Sequence, residues 1–422
     1  MKKWYSLIDK IYRIENLQEA FKRVKKNKGA PGIDGETVQM FAEKLEVNIK
    51  FLHERLKTNT YEPSAVRRRE IEKPDGGIRL LGIPTVKDRV VQQAIVNIIG
   101  AIFDETFHPS SYGYRPKRSQ HQAVAKAERF MVKHKLEHVV DMDLSKCFDT
   151  LDHEVMMKAV GEQISDGRVL NLIKSFLKSG VMHSDNHYVT DVGSPQGGVI
   201  SPLLSNIYLN KFDQKMMSKG IRIVRYADDI LIFAKDKQTA GNYKTLATKI
   251  LEEELKLRVN KEKTIITNVH RGVSYLGFDI CTKYVEINPK RVNRFKDRIR
   301  EITKRNAGKK LELIIEELNR YLRGWINYYR VANIKSFVKQ QMGWIRRRLR
   351  MIKMVQWKTY KPMHKLMKKK GIKITEKMDV KRWKNSNVYI IHRLLPNKYF
   401  EELGLIDLCK YEVGLLSNYY EM

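Results

Sequence analysis

The sequence predicts an α+β fold, and three observations carry that reading. Short apolar strands alternate with helical patterns through roughly the first 285 residues. From about Pro289 the strand pattern stops and apolar residues recur at helical spacing only. The 422 residues are 42% hydrophobic and 31% charged, enough to build two or three cored modules of a globular chain.

Taken in order, residues 1–50 read as helix, loop, helix, with Leu17, Phe21 and Val24 on one stripe. The loop KNKGAPGIDG contains Gly29, Pro31, Gly32 and Gly35 and is flanked by Lys25, Lys26 and Lys28. It is either an ordinary turn or a flexible basic clamp on a template strand. Val66 to Lys73 and Ile78 to Ile83 form a hairpin across Pro74-Asp75-Gly76-Gly77, where Asp-Gly suits a reversal at positive φ. A helix spans about Lys87 to Phe103, and the loop SYGYRPKRS then mixes aromatic and basic groups, including Arg115.

EHVVDMDLSKCFD reads as an apolar strand ending in acids, after which Asp152 can cap the next helix. VGSPQGGVISPLLSNIYLNKFD is a Gly/Pro loop feeding an apolar helix. IRIVRYADDILIFAK is two apolar strands joined at Ala227-Asp228. Three helical stripes follow: Phe295, Ile299 and Ile302; Leu318, Leu322, Trp325 and Tyr329; then Phe337, Ile345, Leu349 and Ile352. The chain beyond about Gly371 is basic and weakly patterned.

The formal charge of +33 exceeds what a solvated surface requires and points to a polyanion. Charge alone does not separate an enzyme from a ribosomal or chromatin-like protein. Its distribution is uneven: Leu318 to Thr375 contains no acid but holds Arg320, Arg323, Arg330, Arg346, Arg347, Arg348 and Arg350. With no acid nearby, Arg346, Arg347, Arg348 and Arg350 are expected to meet phosphates. Cys147, Cys281 and Cys409 form no CxxC pair, which argues against a zinc module and for free thiols in a reducing compartment. No apolar run reaches the roughly 20 residues that cross a bilayer. The expected location is the cytoplasm, with no membrane partner.

The chemistry lies in the acids. Nucleotide addition needs a 3′-hydroxyl to attack an α-phosphate, with two divalent ions held by hard oxygen ligands. Asp228 and Asp229 sit in a tight turn between apolar strands. Asp141 and Asp143 are two apart and project from one face of their strand. Asp143, nearer the strand end, is the expected third ligand, and Asp141 a neighbouring or solvated acid. Phe148, five residues on, could exclude a ribose 2′-hydroxyl. Lys73 and Arg79 bracket the Asp-Gly hairpin and could fold over a triphosphate. Ser194-Pro195-Gln196-Gly197-Gly198 offers close backbone approach and one amide.

Together, KNKGAPGIDG, RRREIEKPDGGIRLLGIP, SYGYRP, DMDLSKCFD, GSPQGGVISPLLSNIYL, RYADD, LRVNKEKT and SYLGF resemble the reverse transcriptases encoded by bacterial group II introns. GWINYY and GWIRRRLR extend the resemblance to about Trp357. It implies a right-hand polymerase: an N-terminal extension with a basic template clamp (1–50), fingers and palm (51–285), a helical thumb or maturase X region (286–360), and a basic nucleic-acid-binding region (361–422). It implies that Asp143, Asp228 and Asp229 hold two Mg²⁺ (or Mn²⁺) ions. Lys73, Arg79, Phe148 and Gln196 match the nucleotide pocket, and Lys263 falls near a general acid for pyrophosphate.

Lys25, Lys26, Lys28, Arg115 and the four thumb arginines would contact nucleic acid. The implied partners are group II intron RNA, an RNA template, a DNA or RNA primer and target DNA, in a nucleoid-associated bacterial protein. The chain resembles the compact group IIC kind without the endonuclease. The rivals are a splicing cofactor with a dead palm, which the three acids weaken, and an RNA-dependent RNA polymerase, which Phe148 weakens. A further relative is a reverse transcriptase recruited to phage defence.

Overall fold

The computed structural model describes residues 3–72, 76–183, 186–188, 197–306, 308–357, 359–372 and 389–420. They fall into two units, Met1–Asn268 and Val269–Met422.

In the first unit, α1 (Ile8–Ile11), α2 (Ile14–Lys26), α3 (Val38–Glu43) and α4 (Leu45–Lys57) precede the hairpin β1 (Val66–Glu72) and β2 (Ile78–Ile83). Next come α5 (Val86–Asp104), α6 (Gln120–Val132), β3 (His138–Met142), α7 (His153–Val160) and α8 (Gly167–Lys178). Strands β4 (Val181–His183) and β5 (Asn186–Tyr188) lead to α9 (Ser201–Ser218). The unit ends with the hairpin β6 (Arg222–Tyr226) and β7 (Asp229–Ala234), α10 (Lys237–Lys249) and β8 (Ile265–Asn268).

Local chemistry sets several of these boundaries. Ser119 and Gln122 form a capping box that starts α6. Asp152 accepts from the Val155 N–H at 2.9 Å and caps α7, as its position predicts. Gly76, at φ +83°, supplies the positive φ of the β1–β2 reversal.

One sheet has the order β6-β7-β3-β8 and is antiparallel throughout. The other has the order β2-β1-β4-β5, with β1 and β4 parallel. Alternation along the first sheet puts Val140, Met142, Ile223, Ile230 and Ile232 in one buried cluster with Leu204, Tyr208 and Phe212 of α9. Each such side chain stabilises the fold by roughly 1.5–3 kcal/mol. The opposite face carries Val139, Asp141, Leu231 and Phe233.

A charge breaks the apolar run of β6. Arg225 has no exposed surface, and its Nε donates to both carboxylate oxygens of Asp213 at 2.9 Å. Its other nitrogens donate to Asp213 Oδ2 at 2.6 Å, and to Asn206 Oδ1 and the Ala227 carbonyl at 2.9 Å. The loop 110–113 extends the sheet edge: Arg225 N–H donates to Ser110 O and Tyr112 N–H to Arg225 O, both at 2.9 Å. Arg115 belongs to this scaffold. It donates to Asp104 Oδ1 at 2.6 Å and to the His108 and Ser111 carbonyls, and only 9% of it is exposed. The expected nucleic-acid contact at Arg115 is therefore corrected, since its donors are spent inside the protein.

The second unit begins with a small antiparallel sheet, β9 (Val273–Tyr275), β10 (Phe278–Ile280) and β11 (Val285–Ile287). This sheet belongs to the second unit, which begins at Val269. The helices are α11 (Pro289–Ile302), α12 (Leu311–Tyr329), α13 (Lys335–Gln356), α14 (Tyr360–Lys369), α15 (Tyr389–Leu394) and α16 (Asn397–Glu402). The three stripes read from sequence coincide with α11, α12 and α13. Phe295 meets Trp325 at 4.4 Å between centroids, and Trp325 meets Tyr329 at 5.1 Å and Phe337 at 5.8 Å.

The thumb arginines divide. Arg346 donates to Asp407 at 2.8 Å and lies 3.7 Å from Glu401. Arg350 donates to Leu395 O and Asn397 Oδ1, both at 2.9 Å, and is 4% exposed. Arg348 closes the end of α11 through Thr303 Oγ1 and Thr303 O, with its guanidinium 5.4 Å from the Trp344 ring centroid. Arg346 and Arg350 are buried, and groups from distant sequence hold them there, which corrects the expectation that they meet phosphates; Arg348 is half-buried. Arg347 alone of the four is exposed.

Four variants test this reading. Asp213→Ala leaves Arg225 buried without its carboxylate and should cost about 3–5 kcal/mol, measured by denaturant unfolding. Asp213→Leu with Arg225→Met should recover much of that loss. In the second unit, Arg346→Gln should cost about 1.5–3 kcal/mol of stability. Arg347→Gln should leave stability unchanged while lowering the salt slope of RNA binding by about 0.7–0.9. An unchanged slope would make Arg347 a solvated residue.

Candidate polymerase active site

The register of β3 and β7 decides where the acids go. Asp141 pairs with Leu231 and Met142 with Ile230, so the next step along the ladder sets Asp143 level with Asp229. Tyr226 pairs with Asp229 across the hairpin, leaving Ala227 and Asp228 as a two-residue loop. Asp143 and Asp228 are half-buried and Asp229 is exposed, so three carboxylates line one edge of the sheet.

The turn is held under strain. Ala227 adopts φ +57°, which costs a non-glycine residue roughly 1–2 kcal/mol. Arg225 grips its carbonyl from below. From the side, Gly113 lies so close that a Cβ there would stand 2.4 Å from Ala227 N. Asn206 fixes that glycine by donating to Gly113 O at 2.7 Å. Asp143 is held through its backbone: its N–H donates to Thr264 Oγ1 at 3.2 Å, and its carbonyl accepts from Asn260 N–H at 2.8 Å. The turn containing exposed Lys263 thus grips Asp143 at both ends.

Electrostatics connect the strands. Burial, with Asp143 beside it, pushes the Asp141 carboxyl up to about 6. Burial, and then the Asp228 charge, pushes the Cys147 thiol up to about 12. The 3₁₀ turn Cys147–Asp149 therefore approaches the hairpin loop, and it carries half-buried Phe148.

The remaining sequence-derived residues differ in how far the structure reaches them. Lys73 and Gln196 lie outside the described residues, and so does the Arg79 side chain, although Arg79 stands opposite Ile71 on β2. Gly197 is needed for contact with β2, since a Cβ there would stand 2.4 Å from Gly82 O. Lys25, Lys26 and Lys28 are exposed. The loop they flank is pinned: Arg89 donates to Ala30 O at 2.8 Å, and a Cβ on Gly32 would stand 2.6 Å from the Thr85 backbone.

Sequence reasoning missed Arg225, Asp213, Asn206 and Gly113 as the set that positions the turn. The available signal was Arg225 itself, a charge inside an otherwise apolar strand.

The donor set suits a hard divalent cation, because it offers carboxylate oxygens from rigid backbone at one sheet edge. Among the described residues no three Asp, Glu, His or Cys side chains gather closely enough to enclose an ion. The fit therefore rests on backbone register and ligand chemistry. Also among the described residues, no helix is long and apolar enough to cross a membrane.

Comparison with known proteins agrees with this geometry. The family described as "Reverse transcriptase (RNA-dependent DNA polymerase)" matches residues 71–280. The "Group II intron, maturase-specific domain" family matches residues 292–371. Protein YkfC of Escherichia coli (strain K12) is 34% identical over 316 residues, covering 66% of this chain and 83% of YkfC. Group II intron-encoded protein LtrA of Lactococcus lactis subsp. cremoris is 29% identical over 328 residues, 62% of this chain and 54% of LtrA. A putative COX1/OXI3 intron 2 protein of Saccharomyces cerevisiae is 26% identical over 372 residues, 73% of this chain and 43% of that protein. The chain thus spans most of YkfC but about half of the other two. With a polymerase domain and a maturase domain in the same order, the chain belongs to the group II intron-encoded reverse transcriptases, RNA-directed DNA polymerases that carry a maturase domain.

Proposed function

We propose that this chain copies a group II intron RNA into cDNA and assists splicing of that intron, which supports the intron's movement to DNA targets in the bacterial cytoplasm and nucleoid. The observation that carries the chemistry is the β3–β7 register, which sets Asp143 level with Asp229 beside the Asp228 turn.

Asp143, Asp228 and Asp229 would hold two Mg²⁺ ions, with Mn²⁺ as a substitute. Bound there, such ions lower the pKa of the attacking hydroxyl and stabilise the leaving pyrophosphate. The primer 3′-hydroxyl gives its proton to solvent and bonds to the α-phosphorus, and the α–β phosphoanhydride bond breaks to release pyrophosphate. Arg225 and Gly113 keep the turn carboxylates still while this happens, which is where much of the rate of a positioned reaction originates.

Phe148, in the 3₁₀ turn five residues beyond Asp143, would sit beneath the incoming sugar and leave no room for a 2′-hydroxyl. Lys73, Arg79 and Gln196 would bind the deoxynucleoside triphosphate, and Lys263 would give pyrophosphate its proton. Lys25, Lys26 and Lys28 would follow the template backbone, with Arg347 and the exposed lysines of α14 on the duplex or intron RNA.

Primer extension on an RNA template with Mg²⁺ tests the catalytic assignment. Asp143→Ala, Asp228→Ala and Asp229→Ala should each slow extension by about 10²-fold or more while changing RNA affinity little. Near-normal extension by Asp228→Ala would remove that residue from the site.

Phe148→Ala should reduce discrimination against ribonucleotides by about tenfold or more. Competing dNTP and rNTP incorporation measures this. An unchanged ratio in a folded variant would return Phe148 to a packing role.

A further inference from the structure

At the end of β6 away from the catalytic turn, cationic side chains gather around one ring. Lys126 Nζ stands 5.1 Å and Arg222 Cζ 5.4 Å from the Phe130 centroid. His134 meets the same ring edge-on at 5.6 Å. Phe130 is 8% exposed and packs against Phe233 at 5.2 Å, so the platform is fixed. Arg118 stands over Tyr112 at 5.6 Å, within electrostatic reach of Lys126.

The cluster carries one sign of charge. Among the described residues neither Lys126 nor Arg222 forms an ion pair with a carboxylate. Burial, and then the charges of Arg129, Arg222 and Arg118, hold the Lys126 ammonium below the usual lysine range. Those that bear most on His134 are Arg222, Arg129, Lys133 and Lys126. Contact with an aromatic face is worth about 0.5–1 kcal/mol at such sites and neutralises nothing. A fold that brings residue 222 against residue 126 without an acid between them keeps an uncompensated positive site.

Arg222 lies four residues before Tyr226, roughly 13 Å along the strand from the hairpin loop. The cluster and the carboxylates of the hairpin turn therefore stand at opposite ends of β6.

We propose that Lys126, Arg222 and Arg118 form a phosphate site for the backbone of a structured RNA, separate from the cleft where primer and template react. The site deepens the maturase reading above and rests on it. Phosphodiesters suit it because each contact releases a condensed counterion and needs no base identity.

The test uses the full chain with Lys126→Gln and Arg222→Gln combined. Binding to a transcribed group II intron RNA is titrated with salt, and primer extension is run on a short annealed primer–template. The expected result is a log K against log salt slope lower by about 1.4–1.8, with the extension rate kept within about twofold. Lys126→Arg with Arg222→Lys keeps both charges and should keep the slope, which separates charge from packing. If the unmodified chain binds intron RNA with a salt slope and the folded Gln variant keeps it, the site is overturned. Loss of extension together with RNA binding also overturns it, because the patch would then not be separate. If the unmodified chain shows no salt-dependent binding, the maturase reading falls and the site falls with it.

Discussion

The buried guanidinium of Arg225 is the interaction on which the catalytic end of the molecule depends. A charge with no exposed surface persists only when its donors are answered, and here Asp213, Asn206 and the Ala227 carbonyl answer them. Two of these partners lie on α9 and the third is in the hairpin loop, so one side chain ties helix to turn. A hydrophobic pair could fill the same volume at less cost in desolvation. It could not donate to Ala227 O, and the residue at φ +57° would lose one of the two contacts that hold it there. Gly113 is the other contact, and Asn206 reaches both. The carboxylates of Asp228 and Asp229 are thus placed by residues buried behind the turn.

The same principle disposes of charge in the helical unit. A net charge of +33 suggests a surface covered in free cations. Several arginines in the acid-free stretch are instead structural, with Arg346 on Asp407, Arg350 on Leu395 and Asn397, and Arg348 at the end of α11. Capping α11 with Arg348 places a cation against carbonyls at a helix C-terminus, where the helix dipole favours it. The residues left to face solvent, such as Arg347 and the lysines of α14, are the ones able to carry affinity.

Much of this was legible in the sequence because the signals were local. Strand periodicity placed β3, β6 and β7, and stripes at helical spacing placed α11, α12 and α13 within a few residues. The acids at 143, 228 and 229 could be singled out because strand and turn spacing already limits where such side chains project. The misread residues have partners set by tertiary structure. Asp407 lies 61 residues from Arg346, and Asn397 lies 47 from Arg350. No window on the acid-free stretch could have shown either. Arg115 was misread over a shorter span, because Asp104 belongs to a helix whose end had to be known before the pair could be seen. The Gly-rich loop likewise reads as free until Arg89 is found holding Ala30 across 59 residues.

The palm sheet also separates two kinds of chemistry along a single face. Tyr226 pairs with Asp229 and Arg222 with Phe233, and even spacing puts all four on the side that carries Asp141 and Asp143. Asp143 and Asp229 therefore occupy one end of that face and Arg222 the other, with Asp141 between them. Had they met, the guanidinium of Arg222 would compete with a metal ion for the carboxylates, and the carboxylates would cancel the positive site. The level of Asp229 lies roughly 13 Å along the strand from that of Arg222, beyond the Debye length of about 10 Å at 0.1 M salt. At that distance a phosphate at the basic end would have little effect on the ionisation of Asp229. An RNA could then remain attached to the protein while the catalytic edge is empty, occupied or between additions.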